Sequence, residues 1–506
     1  MDIEKRRVLL QTSLDKGKTK ESRNVLGQYS TPYRLANDIV CYVRQLVGRS
    51  DLSMLEPAIG TGAFYSAFIN CFGKDNPAMG YEIDPYYYTP AKKLWAGYGI
   101  EFRQGDFLEE RHADRKFSLI LSNPPYTRHH HIRPDKKKYL QEAVLKETGI
   151  KLSGLCGLYC YFILLSSKWL EKDGISCWLV PSEFMDVNYG KAVKEFLLEC
   201  VDLVSIHRFT PEEVQFDDAL VSSSVVVFRN SKPSTDDIRL STGGSLLDPA
   251  NVKNVPRSAF RPEEKWTPLF NDNTERSCYD VTIGNFFSVK RGIATGNNSF
   301  FIVDMETVDK YEIPSDFLFP VLPAPRNLAV NEVHSRNGMP LLDKQLFLFS
   351  CDFDEDTLQT EYPGVWRYIK EGRDRGIHKG ANCKRRSPWY SCETRKPAPI
   401  LITYMGRRLS EGNLFRFILN ESRAIATNSY LLLYPKAQYI DKFRNEKLRY
   451  LVWNILNNIP KERLCSCGRV YGGGLYKLEP KELMNTPVPE MEEILGREKT
   501  LFDYRQ

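Results

Sequence analysis

Blocks of apolar and polar residues alternate along the first 230 residues of the chain. Six short apolar runs predict strands, at residues 52–56, 79–83, 100–103, 117–122, 175–180 and 220–228. Three stretches with apolar residues at helical spacing predict helices, one before the first strand at residues 32–46 and two between strands at residues 63–72 and 158–170. Thr31 provides a capping hydroxyl before Pro32 at the start of the first of these helices. Strands that alternate with helices predict an α/β fold built on a mostly parallel, doubly wound sheet.

The pattern changes after residue 230. Residues 231–280 are rich in Ser, Pro, Asp and Asn and show little periodicity, which is typical of a linker. Residues 281–506 are irregular, aromatic and frequently interrupted by Gly and Pro. We therefore predict a first domain over residues 1–230, a linker over residues 231–280 and a second domain of mixed α+β structure over residues 281–506.

The composition limits the class of protein. With 42% hydrophobic and 12% aromatic residues, the 506-residue chain can bury large cores, which excludes wholesale disorder. Its 70 Lys and Arg against 64 Asp and Glu residues give a net charge of +6, which excludes a histone-like polycation but not a nucleic-acid enzyme. The chain opens without an apolar signal segment, and its longest uncharged stretch, residues 152–167, is too short to span a bilayer. These features predict a cytoplasmic protein with no membrane partner.

The cysteines and histidines give little indication of a metal. In a reducing compartment the 12 cysteines are expected to be buried thiols rather than a disulfide framework. The spacings of Cys383 with Cys392 and of Cys465 with Cys467 match no standard zinc site. The three consecutive histidines, 129–131, point in different directions, which favours a loop that contacts phosphate or solvent. We therefore predict no metal cofactor.

The strongest motif is Asn123-Pro124-Pro125-Tyr126, directly after the apolar run 117–122. Open α/β sheets bind ligands at the carboxyl ends of their strands, so the motif lies where a site is expected. The Asn123 side-chain oxygen and the Pro124 carbonyl can each accept one N–H of an amino group, and the prolines fix the backbone that carries these acceptors. The Tyr126 ring can stack on a planar base. A simple proline-rich turn after the strand is the alternative interpretation.

Three further motifs follow the first three predicted strands. Gly60 and Gly62 come after the first strand and let the backbone approach a ligand closely. Glu82 ends the second strand, where a carboxylate can bind ribose hydroxyls, and Asp106 follows the third, where it can accept from an adenine amino group. Each carboxylate alone is more often a solvated surface group. Four signals at consecutive strand ends nevertheless predict one binding site.

Together these motifs resemble the amino-group DNA methyltransferases of restriction-modification systems that form N6-methyladenine. The likeness is to the arrangement with cofactor motifs first and target recognition last (TaqI-like, with a layout similar to the PstI and BsuBI type). It implies a Rossmann-like class I methyltransferase domain followed by a target-recognition domain. It also implies S-adenosylmethionine as the cofactor, with the methionine part at Thr31 and the remainder held by Glu56, Pro57, Gly60, Gly62, Glu82, Ile83, Asp106, Phe107 and Asn123. The target implied is an adenine flipped out of duplex DNA, received by Asn123, Pro124, Pro125 and Tyr126 and stacked on its other face by Phe216, which could equally be a core residue.

Two basic regions are predicted to bind double-stranded DNA. The first follows the Asn123 motif and contains Arg128, His129, Arg133, Lys136 and Lys137. The second is the stretch 364–408, which has 12 Lys and Arg against 3 Asp and Glu, with aromatic residues Trp389, Tyr390 and Tyr404 interleaved. Its predicted DNA contacts are Lys384, Arg385, Arg386, Arg407 and Arg408. A solvated basic face is the alternative interpretation of this stretch.

Other functions remain open at this stage. The same amino-group chemistry occurs in methyltransferases that modify a glutamine amide of translation release factors, although those chains are short. A DNA-binding specificity subunit without activity is a second alternative, and a fused nuclease site at Asp248, Glu263 and Lys265 is a third. A modification enzyme of this kind would have a cognate restriction endonuclease acting separately as its partner.

Overall fold

The computed structural model describes residues 2–49, 51–110, 115–210, 213, 215–216, 222–270, 281–407, 414–471 and 474–496. The chain forms two compact units. The first comprises Met1–Glu275 with Tyr471–Gly474, and the second comprises Arg276–Val470 with Leu475–Gln506.

The first unit is built on a nine-stranded sheet. Its strands are Met54–Glu56 (β1), Ala78–Glu82 (β2), Ile100–Gln104 (β3), Phe117–Ser122 (β4), Leu170–Pro181 (β5), Asp202–Arg208 (β6), Ser223–Arg229 (β7), Ile238–Gly244 (β8) and Pro249–Val255 (β9). They lie in the order β3-β2-β1-β4-β5-β7-β6-β8-β9. Strands β1 to β5 pair in parallel, and β7 runs antiparallel between β5 and β6.

Helices cover both faces of this sheet. They are Ile3–Lys16 (α1), Lys20–Leu26 (α2), Tyr33–Leu46 (α3), Ala63–Phe72 (α4), Pro85–Leu94 (α5), Pro134–Thr148 (α6), Leu158–Ser166 (α7) and Lys191–Glu195 (α8). Along β4, Leu119 and Leu121 pack into one apolar cluster, whereas Ile120 packs into the other. Because neighbouring residues of a strand point to opposite faces, the sheet separates two cores, as in a doubly wound α/β fold. The predicted α/β fold class is confirmed.

The structure differs from the sequence-based prediction in three places. Strands β8 and β9 continue the sheet through the segment 231–280, which was predicted to be a linker, because Ile238 and Leu240 are buried against the core. Strand β6 was missed, since Ser, His and Arg interrupt its apolar pattern. Thr31 was predicted to cap α3, and this is wrong: the residue before the helix is Pro32, and no side chain caps this end.

The second unit mixes small sheets with short helices. Its strands are Phe287–Arg291 (β10), Ile302–Asp304 (β11), Leu318–Pro320 (β12), Glu332–Val333 (β13), Ser335–Arg336 (β14), Met339–Pro340 (β15), Leu346–Phe349 (β16), Ile400–Thr403 (β17), Met405–Arg407 (β18), Phe417–Asn420 (β19), Tyr430–Pro435 (β20), Arg469–Tyr471 (β21) and Leu475–Lys477 (β22). Its helices are Ile283–Phe286 (α9), Asn298–Phe301 (α10), Met305–Lys310 (α11), Glu355–Glu361 (α12), Pro363–Asp374 (α13), Glu446–Asn457 (α14), Lys461–Cys467 (α15), Pro480–Met484 (α16) and Glu492–Leu495 (α17).

The largest sheet of this unit has the order β10-β20-β17-β19-β13. Its apolar residues, such as Ile400, Phe417 and Leu431, pack against Trp453 of α14 in one core. The mixed α+β character expected for the second half of the chain is therefore present. Within the described ranges, none of the helices is both long and apolar enough to cross a bilayer.

Candidate active site

A cavity of about 720 Å³ opens at the carboxyl ends of the central strands of the first unit. The sheet order reverses between β1 and β4, and ligands of open α/β sheets bind at such a switch point. Ten of the residues singled out from the sequence line the cavity: Pro57, Gly60, Glu82, Ile83, Asp106, Phe107, Asn123, Pro125, Arg133 and Lys136. The structure thus brings together the motifs that follow four different strands.

The two glycines after β1 have different surroundings. Both have positive φ, +55° at Gly60 and +87° at Gly62, which side chains other than Gly rarely adopt. A Cβ at Gly60 would meet no atom within 4 Å, so this backbone faces open space in the cavity. A Cβ at Gly62 would lie 2.6 Å from Nε1 of Trp95. Gly60 therefore permits close approach of a ligand, whereas Gly62 permits packing of the loop on Trp95.

Glu82 is held at the end of β2 by two backbone amides. The Gly60 N–H donates to Oε2 at 3.0 Å, and the Asp84 N–H donates to Oε1 at 2.8 Å. Burial raises the pKa of this carboxyl to about 7, against the opposing effect of the two amides. The carboxylate is therefore fixed in orientation and can accept hydrogen bonds from the hydroxyl groups of a ligand in the cavity.

Asp106 is paired with a cation from α6. Its Oδ1 accepts the Leu108 N–H at 3.0 Å, and its Oδ2 forms an ion pair with Lys136 Nζ. Lys136, predicted to contact DNA, thus also lines the cavity, as does Arg133. The other basic residues predicted beside it, Arg128, His129 and Lys137, do not line the cavity; Arg128 is exposed and the other two are half-buried.

Asn123 has the most specific arrangement in the cavity. Its Nδ2 donates to the Tyr29 carbonyl and to Thr31 Oγ1, each at 3.0 Å. Its Oδ1 is buried and accepts no hydrogen bond. Buried acceptors are almost always paired in folded proteins, so this oxygen, on a residue that lines the cavity, is available to a hydrogen-bond donor. Thr31 itself does not line the cavity.

The aromatic residues beside Asn123 form a closed group. The Tyr126 hydroxyl donates to the Leu179 carbonyl at 3.0 Å, and the Tyr126 ring meets Phe216 edge to face, with centroids 5.9 Å apart and planes at 86°. The Tyr29 ring contacts both, at 5.6 Å from Tyr126 and 5.8 Å from Phe216. Tyr126, Phe216 and Pro124 are buried and do not line the cavity. The two rings predicted to enclose a base thus touch one another directly.

Glu56 lies behind the cavity rather than in its wall. Its side chain is 2% exposed, and its Oε2 has no hydrogen-bond partner. Burial raises its pKa well above the usual carboxyl value.

Helix α1 contributes site residues that the sequence analysis missed. Gln11 of α1 and Lys18, two residues after the end of this helix, line the cavity, and Lys18 forms an ion pair with Asp84. Arg7, which is 2% exposed, donates to Thr61 Oγ1 in the glycine loop at 3.1 Å and pairs with Glu4 at 2.7 Å. These contacts fix α1 on the loop. The segment carries no motif that could have predicted these contacts.

The basic residues predicted to bind DNA in the second unit differ in their surroundings. Lys384 and Arg385 are exposed, as a DNA contact requires. Arg386 instead donates to the carbonyls of Ala294 and Thr295, at 2.8 and 2.9 Å, and lies over the Phe301 ring. Its guanidinium therefore holds the loop before α10.

Fewer observations support a DNA contact at the other residues predicted for this surface. Tyr390 and Tyr404 are buried, which fits the core rather than a surface that approaches bases, and Trp389 is half-buried. Arg407 ends β18, but its side chain, like the whole of Arg408, lies outside the described residues. In the part of the chain that the structure describes, no three His, Cys, Asp or Glu residues are grouped as a metal would need.

The order β3-β2-β1-β4-β5-β7-β6, with β7 antiparallel, defines the fold of a class I methyltransferase. Solved structures with the same fold include the Type IIL restriction-modification enzyme MmeI in complex with DNA, with a TM-score of 0.57 and 12% identity. A DrdV–DNA complex gives a TM-score of 0.52, also at 12% identity. The matches cover 90% and 92% of this chain, which spans 64% and 55% of those chains.

Comparison with known sequences shows which methyltransferases this chain is similar to. Residues 77–215 match the Eco57I restriction-modification methylase, and residues 263–504 match the C-terminal domain of the Type II methyltransferase M.Eco57I. The Type II methyltransferase M.AccI of Acinetobacter calcoaceticus is 28% identical over 484 residues, covering 92% of this chain and 85% of the relative. M.XamI of Xanthomonas campestris pv. amaranthicola is 24% identical over 453 residues, covering 88% and 82%. The chain is therefore similar to the Eco57I-type restriction-modification methylases over residues 77–215 and 263–504, and to Type II methyltransferases over most of its length.

Proposed function

We propose that this chain is a DNA methyltransferase that transfers the methyl group of S-adenosylmethionine to N6 of an adenine flipped out of duplex DNA. The observation that carries the proposal is the buried, unpaired Oδ1 of Asn123 at the end of β4. An acceptor fixed there, beside the cavity, suits a substrate amino group. The Type II methyltransferases to which the chain is related support DNA as the substrate.

The cavity fits the proposed cofactor. Its volume of about 720 Å³ lies in the range of small-molecule sites. Glu82 and Asp106 follow neighbouring parallel strands, so their carboxylates can bind ribose hydroxyls and an adenine amino group of one nucleoside. Gly60 leaves room for the amino-acid part beside the backbone. Ile83 and Phe107 add apolar lining for the adenine ring.

The proposed catalysis depends on alignment. When bound, S-adenosylmethionine supplies a sulfonium methyl group that an amine can attack directly. Asn123 Oδ1 and the Pro124 carbonyl accept the two N–H groups of the adenine amine, which directs its lone pair toward that methyl group. Pro124 and Pro125, which directly follow Asn123, restrict the backbone that carries both acceptors.

DNA binding is assigned to two surfaces. Arg128 and Arg133 are exposed beside the Asn123 motif, and Lys384 and Arg385 are exposed in the second unit. Cations on exposed loops bind phosphates and bring the duplex to a site without reading its sequence. We further propose that the enzyme modifies the recognition site of a restriction-modification system whose endonuclease is a separate protein.

Transfer of labelled methyl groups to DNA and to a translation release factor, measured side by side, tests this function. We expect label in the DNA only. The Asn123→Ala variant should lose at least about 100-fold in rate, as when an active-site hydrogen bond of this kind is removed, while cofactor affinity stays within a few-fold of wild type. Modification-sensitive long-read sequencing of DNA from an expressing, methylation-deficient host should show N6-methyladenine at one sequence. Label in the release factor alone, or in cytosine, would refute the proposal.

A further inference from the structure

The segment 29–31 crosses the end of β4 and meets the Asn123 amide. Thr31 precedes α3, but its hydroxyl does not cap that helix. The hydroxyl oxygen instead accepts one N–H of Asn123 Nδ2 at 3.0 Å, while the Tyr29 carbonyl accepts the other at the same distance. Tyr29 lines the cavity and Thr31 does not, so Thr31 faces the amide rather than a bound ligand.

We propose that Thr31 is a positioning residue that aims Asn123 Oδ1 at the substrate amine, an inference that rests on the proposed methyltransferase function. A carboxamide has two N–H donors and one oxygen acceptor. The Tyr29 carbonyl can only accept, so it determines which end of the amide is nitrogen. Thr31 takes the second N–H and thereby fixes the plane of the amide.

The same two contacts strengthen Oδ1 as an acceptor. Donating both N–H groups polarises the amide and increases the negative charge on its oxygen, because linked hydrogen bonds reinforce one another. Oδ1 is buried and unpaired, so water does not offset this effect. The two neighbours of Asn123 therefore control both the direction and the strength of the hydrogen bond to the substrate.

Thr31→Val removes the hydroxyl at nearly constant shape, and Thr31→Ser retains it. With saturating cofactor and DNA, we expect the methyl-transfer rate constant of Thr31→Val to fall about tenfold, the effect of one lost hydrogen bond to a buried group. Thr31→Ser should remain within about twofold of wild type on the same basis. Cofactor affinity, measured by calorimetry, should be unchanged in both. Thr12→Val, at an exposed threonine of α1, is the matched control.

A second measurement does not depend on activity. In protein labelled with ¹⁵N at Asn, the side-chain signal of Asn123 is identified by its loss in Asn123→Ala. In Thr31→Val we expect one of its two amide protons to shift upfield and exchange faster with water, while the other is unchanged.

The outcomes separate the two proposals. Wild-type protein that methylates no DNA would refute the function, and the amide signals would still test Thr31. Unchanged amide signals in Thr31→Val, or a wild-type rate, would overturn the positioning role. A tenfold loss of cofactor affinity at an unchanged saturated rate would show that Thr31 contacts the cofactor instead.

Discussion

Cofactor affinity should depend on pH through Glu82. This carboxyl is 9% exposed, and its burial raises the pKa to about 7. Both oxygens already accept backbone N–H groups, from Gly60 and Asp84. In the acid form, one oxygen carries a proton and accepts hydroxyl donors poorly. The ribose-binding form is therefore the carboxylate, which is populated above about pH 7 and lost below it.

The magnitude follows from the raised pKa. If only the carboxylate binds ribose, the dissociation constant rises about tenfold for each pH unit below about 7. The expected loss is about tenfold at pH 6 and about 100-fold at pH 5, relative to a plateau near pH 8, and each tenfold step corresponds to about 1.4 kcal/mol. An ordinary exposed Glu, with a pKa of about 4.3, would give a nearly constant affinity over the same range.

Calorimetric titration of the cofactor from pH 5.5 to 8.5 measures this dependence. Glu82→Gln is the matched control, because it does not titrate and leaves one of the two backbone N–H donors without an acceptor. The variant should bind about 10- to 100-fold more weakly at high pH. The ratio of wild-type to variant affinity, which cancels titration of the ligand and of other residues, should fall with decreasing pH. A ratio that stays constant from pH 8.5 to 5.5 would refute the reasoning.

Five further variants, at four positions, test the remaining assignments. Phe216→Tyr should keep the methyl-transfer rate, whereas Phe216→Leu, which fills the same core, should lose about tenfold in single-turnover assays; equal rates would contradict a stacking role. Arg7→Met should lower the free energy of unfolding in denaturant by about 3 kcal/mol, because Glu4 loses its buried partner, and a loss below about 1 kcal/mol would contradict this. Lys384→Ala should weaken DNA binding in filter assays and reduce its salt dependence by about one unit of slope. Arg386→Ala should mainly lower the unfolding temperature. If instead Arg386→Ala weakens DNA binding and Lys384→Ala lowers the unfolding temperature, the roles assigned to these two residues are wrong.

Local patterns were sufficient to predict much of the fold of the first unit. Strand β4 and helix α4 have the predicted bounds, since each is a mostly apolar segment without charged residues. Strand β6, with the sequence DLVSIHR, has polar residues at buried positions such as Ser205 and His207, so its pattern gave no signal. Pairing with two neighbouring strands, which the local sequence does not encode, stabilises it.

The site was predictable as far as its residues lie at the ends of strands. Glu82 ends β2, and Asp106 and Asn123 come within two residues of the ends of β3 and β4; parallel strands bring these ends to one edge of a sheet. The partners of these residues come from segments far away in the sequence. Thr31 is 92 residues from Asn123, and Lys136 is 30 residues from Asp106. No local pattern relates such pairs, because their contacts depend on how α3 and α6 pack on the sheet.

The proposed cofactor half of the candidate site is an open cavity, whereas the proposed target half is closed by contacting rings. The cofactor half is open, with Glu82 fixed by two backbone amides at the wall of the cavity. The target half has a fixed Asn123, but Tyr126 and Phe216 stand edge to face at 5.9 Å. A base between two parallel rings needs centroids about 7 Å apart, so under the proposed function this contact has to open to admit a target.

Tyr126 is the less mobile of the two rings, because its hydroxyl donates to the Leu179 carbonyl, so Phe216 is the ring that has to turn. Opening forfeits the edge-to-face contact, which is worth about 1 kcal/mol. Stacking of a base returns about 1–3 kcal/mol, whereas a primary amide offers a smaller planar surface. If these two rings receive the target as proposed, the stacking energy favours a nucleobase over a glutamine side chain as the group that receives the methyl.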